Sequence, residues 1–299
     1  MVGSVTTLPY VSNVAGQFAA DNPLVDVSLR MDGTASGMTV FCDGAAQIAG
    51  ASRAINDNEI LACQQAGVRY VQLMIAKDAI VVFTGPSNAK VRCLSVPDLY
   101  ALTSAEAAGT STWKRATPLA RSLGSRTVLP DTTLVVVTPN AASGTRQLFL
   151  EKVIAPIATR RNQRDDFRAD HRDVDWEAQM LAEADEDPGL LGIAGYATVA
   201  PWGTKVRVVA LRRGRTCVAP TAADIASGAY PLARPLYLYV NVGAAQKSAA
   251  VRALTSALVE SRALVSAASG AAVPLSSGDM QATRNAWDAA LAGAPAAGT

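Results

Sequence analysis

Apolar positions along the first third of the chain switch repeatedly between two spacings. Residues 25–29, 68–75 and 80–83 alternate or run apolar as strands do, whereas 9–20, 37–46 and 57–66 repeat at helical intervals. This interleaving predicts an α/β fold with a parallel-rich sheet. The series continues with a buried strand over 134–137, a helix opened by Ser143 and running to about 159, and a further helix over 174–184. Strands follow at 190–196, 206–211 and 235–240, the last with its aromatics on one face. Helices over 244–264 and 281–291 come next, then a Gly/Pro/Ala tail from Ala292 that is expected to fray. No internal repeat or long low-complexity linker interrupts the pattern.

Composition narrows the function. With 299 residues, 49% hydrophobic and 17% charged, the chain can bury a sizeable core as one large or two ordinary domains. A net charge of +2 is too small to serve as a broad field for nucleic acid or an anionic membrane, so any anion site has to be local. No apolar run reaches the 18 residues of a membrane span. The opening Met1-Val2-Gly3-Ser4 lacks the charged-then-apolar layout of a secretory signal, which fits either a cytosolic protein or the start of a mature exported one.

Cys42, Cys63, Cys93 and Cys217 form no CxxC or Cys/His cluster, so no zinc site is expected. Their even number suits disulfides in an oxidising compartment, with three pairings open and free buried thiols as the alternative. His171 is the only histidine and stands in Asp170-His171-Arg172-Asp173, part of a charged run over 160–172 expected to be a solvated helix end and loop. A lone, solvated imidazole argues against a hydrolytic triad or a catalytic metal. No catalytic residue, metal or cofactor is therefore expected.

Four places place small hydroxyl residues or glycine just before a helix: Ser4-Val5-Thr6-Thr7, Gly33-Thr34-Ala35-Ser36-Gly37, Ala51-Ser52-Arg53 and Ala142-Ser143-Gly144-Thr145. Helix starts expose unpaired amides and a positive dipole end, and hydroxyls add short donors, so each is a candidate anion cradle. Ordinary N-capping is the competing explanation at any one of them. Ser52 or Ser143 as the nucleophile of a phosphatase lacks an activating base nearby in sequence.

The stretches GSVTTLPY, GTASG with FCDG and IAGASRAI, CLSVPDL, PNAASGTRQLF, and DPGLLGIAGYA followed by GAYPLARPLYLYVN occur in that order, with GAAVPLS near the end. From about Gly3 to Ser276 the chain resembles the phosphate-binding proteins of phosphate ABC importers, in the branch carrying ASR and SGT motifs. That resemblance implies an α/β, two-lobed type II periplasmic binding protein fold with two hinge crossovers and a ligand cleft between lobes. The crossovers would lie at 80–85 and 230–236, making residues 1–85 and 230–299 a discontinuous lobe one and 86–229 lobe two.

The resemblance carries ligand contacts onto Thr6 and Thr7, onto Thr34, Ser36 and Gly37, onto Ser52 and Arg53, and onto Ser143, Gly144 and Thr145. Arg53 would supply the positive charge, its planar guanidinium gripping two oxygens at once. The alternative for Arg53 is pairing with Asp57 or Glu59 in the next turn. Where relatives often have acids beside these loops, this chain has Gln47, Gly50 and Ala142, and Ala79 follows Asp78 where a glycine is usual. Asp173 or Asp175 are the replacements for the buried carboxylate that accepts the proton of hydrogen phosphate and so rejects sulfate. The ligand implied is phosphate, with arsenate, sulfate or a phosphate ester as alternatives. The partner implied is an ABC permease, or a sensor histidine kinase. The protein would be a monomer that binds no nucleic acid, in the periplasm or exported, its signal peptide absent from this sequence.

Overall fold

The computed structural model of the chain describes residues 1–141, 143–260, 273 and 275–293. In chain order the first elements are β1 (Val2–Gly3), α1 (Leu8–Asp21), α2 (Thr34–Cys42), β2 (Ile48–Ala51), α3 (Asp57–Gln65), β3 (Tyr70–Thr84), β4 (Cys93–Leu94), α4 (Val96–Thr103) and α5 (Thr117–Ser122). Then come β5 (Val135–Pro139), α6 (Gly144–Phe149), α7 (Ala155–Arg161), β6 (Arg172–Val174), α8 (Glu177–Glu186), β7 (Leu190–Gly195) and α9 (Tyr196–Val199). The last are β8 (Arg207–Val208), β9 (Ala210–Arg213), β10 (Thr216–Val218), α10 (Ala222–Ala226), β11 (Ala233–Asn241), α11 (Val242–Lys247), α12 (Ala249–Glu260) and α13 (Ser277–Leu291). The expected helical continuation to Leu264, most of GAAVPLS and the end of the tail lie outside the described residues. Two compact units divide the chain: Met1–Asp78 with Arg234–Thr299, and Ala79–Ala233.

In the first unit, β1 lies parallel to β2, β11 runs antiparallel to β2, and β3 lies beside β11. The alternation in β11 separates its two faces. Leu236, Leu238 and Val240 join Tyr10, Val11, Phe18 and Trp287 in one core, while Tyr239 joins Met38, Phe41 and Ala49 in another. Each fully buried large apolar side chain stabilises the fold by about 1.5–3 kcal/mol. The strand expected at 25–29 does not form: Val25, Val27 and Leu29 pack on the first core, and β pairing is limited to a bridge from the adjoining Arg30 to Val2.

The two strands expected at 68–75 and 80–83 are one strand, β3. Its central Lys77-Asp78 reads as a polar break, yet both charges are neutralised by partners distant in sequence. Lys77 Nζ lies 2.9 Å from Asp279 Oδ2, and Asp78 Oδ2 accepts from Arg234 Nε at 2.9 Å and Nη2 at 2.6 Å. Both members of the second pair are buried.

In the second unit, residues 80–84 of β3 run antiparallel to β7, and β5 lies between β7 and β6, parallel to both. Val81, Phe83, Val137, Leu190 and Ala194 face Met180 and Leu181 of α8 in its core. A small sheet, β10-β9-β4, stands apart. Each unit has its own disulfide, Cys42–Cys63 in the first and Cys93–Cys217 in the second, which selects one of the pairings left open by sequence.

The charged run over 160–172 is, as expected, a helix end and a largely exposed loop, but Phe167 and Arg168 within it are buried. Arg161 pairs with Glu106, and Arg168, 3% exposed, bonds Asp170 and the carbonyls of Leu102 and Thr110. His171 is likewise enclosed: its ring lies 5.5 Å from that of Phe167, with Nδ1 2.5 Å from the Arg168 carbonyl. Burial of Arg168 is tolerated because its charge has a partner in Asp170 and its remaining donors reach carbonyls.

Candidate functional site

Parallel pairing of β1 and β2 puts their C-terminal ends at one edge, so the loops that follow, Ser4 to Thr7 and Ser52-Arg53, emerge side by side. Ser4 N–H donates to the Gly50 carbonyl (2.8 Å), and Gly33 N–H donates to the Gly3 carbonyl (2.9 Å), which brings the start of α2 to the same edge. This closeness depends on missing side chains. A Cβ on Gly37 would lie 2.3 Å from Gly3 Cα, and one on Gly50 would lie 2.2 Å from Thr7 Oγ1. An acidic residue therefore has no room at position 50.

Thr34 and Ser52 meet directly, with Thr34 Oγ1 3.1 Å from Ser52 Oγ and accepting from Ser52 N–H at 3.2 Å. Both are buried. Gly33, the N-cap of α2, supplies no side-chain cap, so the opening amides of this helix are left for another acceptor. Ser36 is exposed on the first turn. Thr6 N–H bonds Ser4 Oγ (3.3 Å), whereas Thr7 commits both its amide (3.0 Å) and its hydroxyl (2.7 Å) to the Ser4 carbonyl. Thr7 thus closes the loop, its donors already used.

Arg53 makes a two-pronged contact with Glu59, Nη1 to Oε2 and Nη2 to Oε1, each 2.8 Å. Glu59 also accepts from Asn56 N–H (3.0 Å), and its own N–H donates to Asn56 Oδ1 (2.9 Å), a capping box that opens α3. Among the alternatives for Arg53, pairing in the next turn is the arrangement seen here.

In the second unit, Ser143 is the N-cap of α6 and accepts from Thr145 N–H at 3.2 Å, which leaves its hydroxyl proton available as a donor. Gly144 is half-buried and Thr145 is buried. The loop is held at the C-terminal ends of β5 and β6: Ser143 N–H donates to the Asn140 carbonyl (3.0 Å), Asn140 N–H to the Val174 carbonyl (3.0 Å), and Asn140 Nδ2 to Asp175 Oδ1 (3.1 Å).

Behind the loop stands Arg146, which motif reading passed over. It is 7% exposed, with Nη1 bonding Thr138 Oγ1 (3.0 Å), His171 Nε2 (3.0 Å) and Asp173 Oδ1, and its guanidinium lies 4.9 Å above the Phe167 ring. Burial would raise the Asp173 carboxyl, but the Thr138 hydroxyl, Arg146 and His171 outweigh it and hold the group below its usual range. Of the two carboxylates expected as acceptors for a ligand proton, Asp173 is engaged with Arg146, and Asp175 is the one tied to the loop. The signal for Arg146 was its place directly after Ser143-Gly144-Thr145, masked by the assumption that charges nearby are solvated.

Among the described residues, no group of three or more His, Cys, Asp or Glu is placed to hold a metal, and no helix is long and apolar enough to cross a membrane.

A family model described as the PBP superfamily domain matches residues 1–259. The chain is 30% identical over 252 residues to Protein SphX of a Synechocystis species, covering 84% of this chain and 70% of that protein. It is 28% identical over 242 residues to the phosphate-binding protein PstS of Staphylococcus haemolyticus, covering 80% and 69%. A possible phosphate binding protein from Planctomyces limnophilus superposes with a TM-score of 0.78 at 26% identity, over 97% of each chain. An ABC-type phosphate transport receptor from Vibrio cholerae shares the fold, with a TM-score of 0.68 at 18% identity over 90% of this chain and 97% of that one. The α/β, type II periplasmic binding fold expected from the sequence is the one these likenesses show.

Proposed function

The chain belongs to the PBP superfamily, and we propose that it is a solute-binding protein that captures inorganic phosphate in the periplasm and, as a monomer, hands it to an ABC import permease. The observation that carries this reading is the gathering of two hydroxyl-bearing loops, 4–7 and 52–53, and the hydroxyl-bearing, uncapped start of α2 at one sheet edge of the first unit. Such a site offers neutral, preorganised donors that replace an oxyanion's hydration shell. Likeness to PstS and to phosphate receptors supports phosphate as the ion.

The contacts proposed in the first unit are Thr6, Thr34, Ser36 and Ser52 through hydroxyls and Gly37 as part of the helix start. In the second they are Ser143, Gly144 and Thr145. Thr7 has a supporting part, and Arg53, held in place by Glu59, contributes its positive charge. Asp175 is the proposed acceptor of the ligand proton, which separates hydrogen phosphate from sulfate. Binding without catalysis fits the two loop serines, whose side chains bond Thr34 and the Thr145 amide rather than an imidazole, carboxylate or amine.

Calorimetric titration of protein stripped of ligand by unfolding and refolding tests the proposal. Phosphate and arsenate are expected to bind alike and sulfate far more weakly, with Asp175→Asn narrowing the gap. Protein that refolds but takes up no phosphate, or that prefers sulfate, overturns it.

A further inference from the structure

A second basic feature of the molecule lies within the second unit, on the β4–β9 side. A pocket of about 300 Å³ there is lined by Lys90, Arg92, Arg126 and Arg212, with no acidic residue on its wall. All four cations are exposed, and among the described residues none is in an ion pair. The other salt-forming arginines of this unit behave differently, since Arg146, Arg161, Arg168 and Arg172 each have a carboxylate partner. Four like charges around one concavity repel one another unless an anion joins them.

The frame holding these cations is tied down. Ala210 N–H donates to the Arg92 carbonyl (3.1 Å), Arg212 pairs with Cys217 across β9 and β10, and Cys217 is bonded to Cys93, the neighbour of Arg92. Arg126 stands between Ser125 and Thr127, whose hydroxyls donate to the buried Asp98 carboxylate at 2.5 and 2.7 Å. The backbone under three of the four cations is therefore fixed by strand pairing, a disulfide and a buried carboxylate. Val91 and Leu129, both buried, form the apolar part of the wall.

We propose that this pocket binds a condensed phosphate chain. The volume is at the small end of ligand pockets, about 300–1,000 Å³, which suits a compact ion. A single orthophosphate carries too little charge to balance four cations, whereas charge grows with each phosphoryl group added, and guanidinium groups grip phosphoryl oxygens in pairs. The chain could come from inorganic oligophosphate or from a nucleoside triphosphate, and the test separates the two.

Tripolyphosphate and, separately, ATP are titrated calorimetrically into the full chain already saturated with orthophosphate, so that the site of the proposed function is filled. Tripolyphosphate is expected to bind, with affinity falling as salt is raised. An equal response to ATP assigns recognition to the phosphate chain alone, and a weaker one assigns it to the free inorganic ion. Arg92→Ala with Arg212→Ala is expected to weaken binding by at least about tenfold, from loss of charge-assisted contacts. Orthophosphate uptake and circular dichroism should stay unchanged. Arg126→Gln alone, on a separate loop, gives a second reading should the double variant misfold. Absence of tripolyphosphate binding, or binding that both variants leave intact, overturns the proposal, as does retention on anionic lipid vesicles without tripolyphosphate binding.

Discussion

In the first unit the hydroxyl loops rest on bare backbone, Gly37 against Gly3 and Gly50 against Thr7, and the nearby cation Arg53 is held by Glu59. In the second unit the 143–145 loop stands in front of a charged network, Arg146 with Asp173, His171 and Asp166. The two arrangements present the same kind of donor by different means. One relies on packing so close that no side chain fits between the strands and helix. The other relies on electrostatics, with a buried guanidinium fixed by carboxylates and lending positive potential to the helix start behind which it sits. Packing of the first kind is insensitive to pH and salt but intolerant of added atoms, whereas the second has the reverse sensitivities.

The largest expected contrast is in the disulfides. Cys93–Cys217 closes 124 residues within the second unit and Cys42–Cys63 closes 21 within the first. By loop-closure entropy, replacing each pair by serine should cost about 5 and about 3 kcal/mol respectively. Urea unfolding of both variants checks the order, and a larger loss from the shorter loop would break it.

Next is the buried Asp78–Arg234 pair of the first unit, whose side chains are 4% and 3% exposed. Arg234→Met should cost about 3–5 kcal/mol because it strands a buried carboxylate, while Asp78→Leu combined with Arg234→Met should recover much of that. Thermal melts of the single and double variants decide whether the pair is needed for stability or replaceable by apolar contact.

Gly37→Ala sharpens the packing half of the comparison. Its Cβ would meet backbone, so β1 or α2 has to shift, with an expected loss of about 1–3 kcal/mol and weakened phosphate binding. Ser143→Ala in the second unit should lose about 0.5–2 kcal/mol as a cap, with reduced phosphate affinity besides if the hydroxyl is a ligand donor. Equal, purely thermal effects in both would remove the distinction between the units.

The smallest effect is acid sensitivity. Arg168 holds Asp170 down to about 2, and Glu106, Asp173 and Glu183 of the same unit are also lowered by their partners. A depressed carboxyl stabilises the folded state above its unfolded value and loses that contribution as pH falls through its folded value. In the first unit the corresponding group is Asp279, lowered by Lys77. Because these groups are partly exposed, each contributes at most about 1 kcal/mol. Hydrogen exchange between about pH 5 and pH 2.5 should show the second unit loosening first.

Much of the fold could be read locally. The spacing of apolar positions determined β5, β7 and β11 and helices α1, α3, α8 and α13 to within a few residues, because burial of one face imposes a period on neighbouring residues in the chain, whereas the short β2 went unread. The hydroxyl loops were legible for the same reason, since helix starts have local signatures. Tertiary structure alone decided where charges go. Lys77 and Asp78 look like a break in a strand until Asp279 and Arg234 arrive from the other end of the chain, and Arg168 looks like one more charge of a solvated run until the carbonyls of Leu102 and Thr110 close over it. The cysteine pairing and the commitment of Arg53 to Glu59 were likewise open. A charged side chain costs little when exposed and little when paired, and its own sequence neighbourhood is the same in both cases, so the choice rests with partners that only folding brings near.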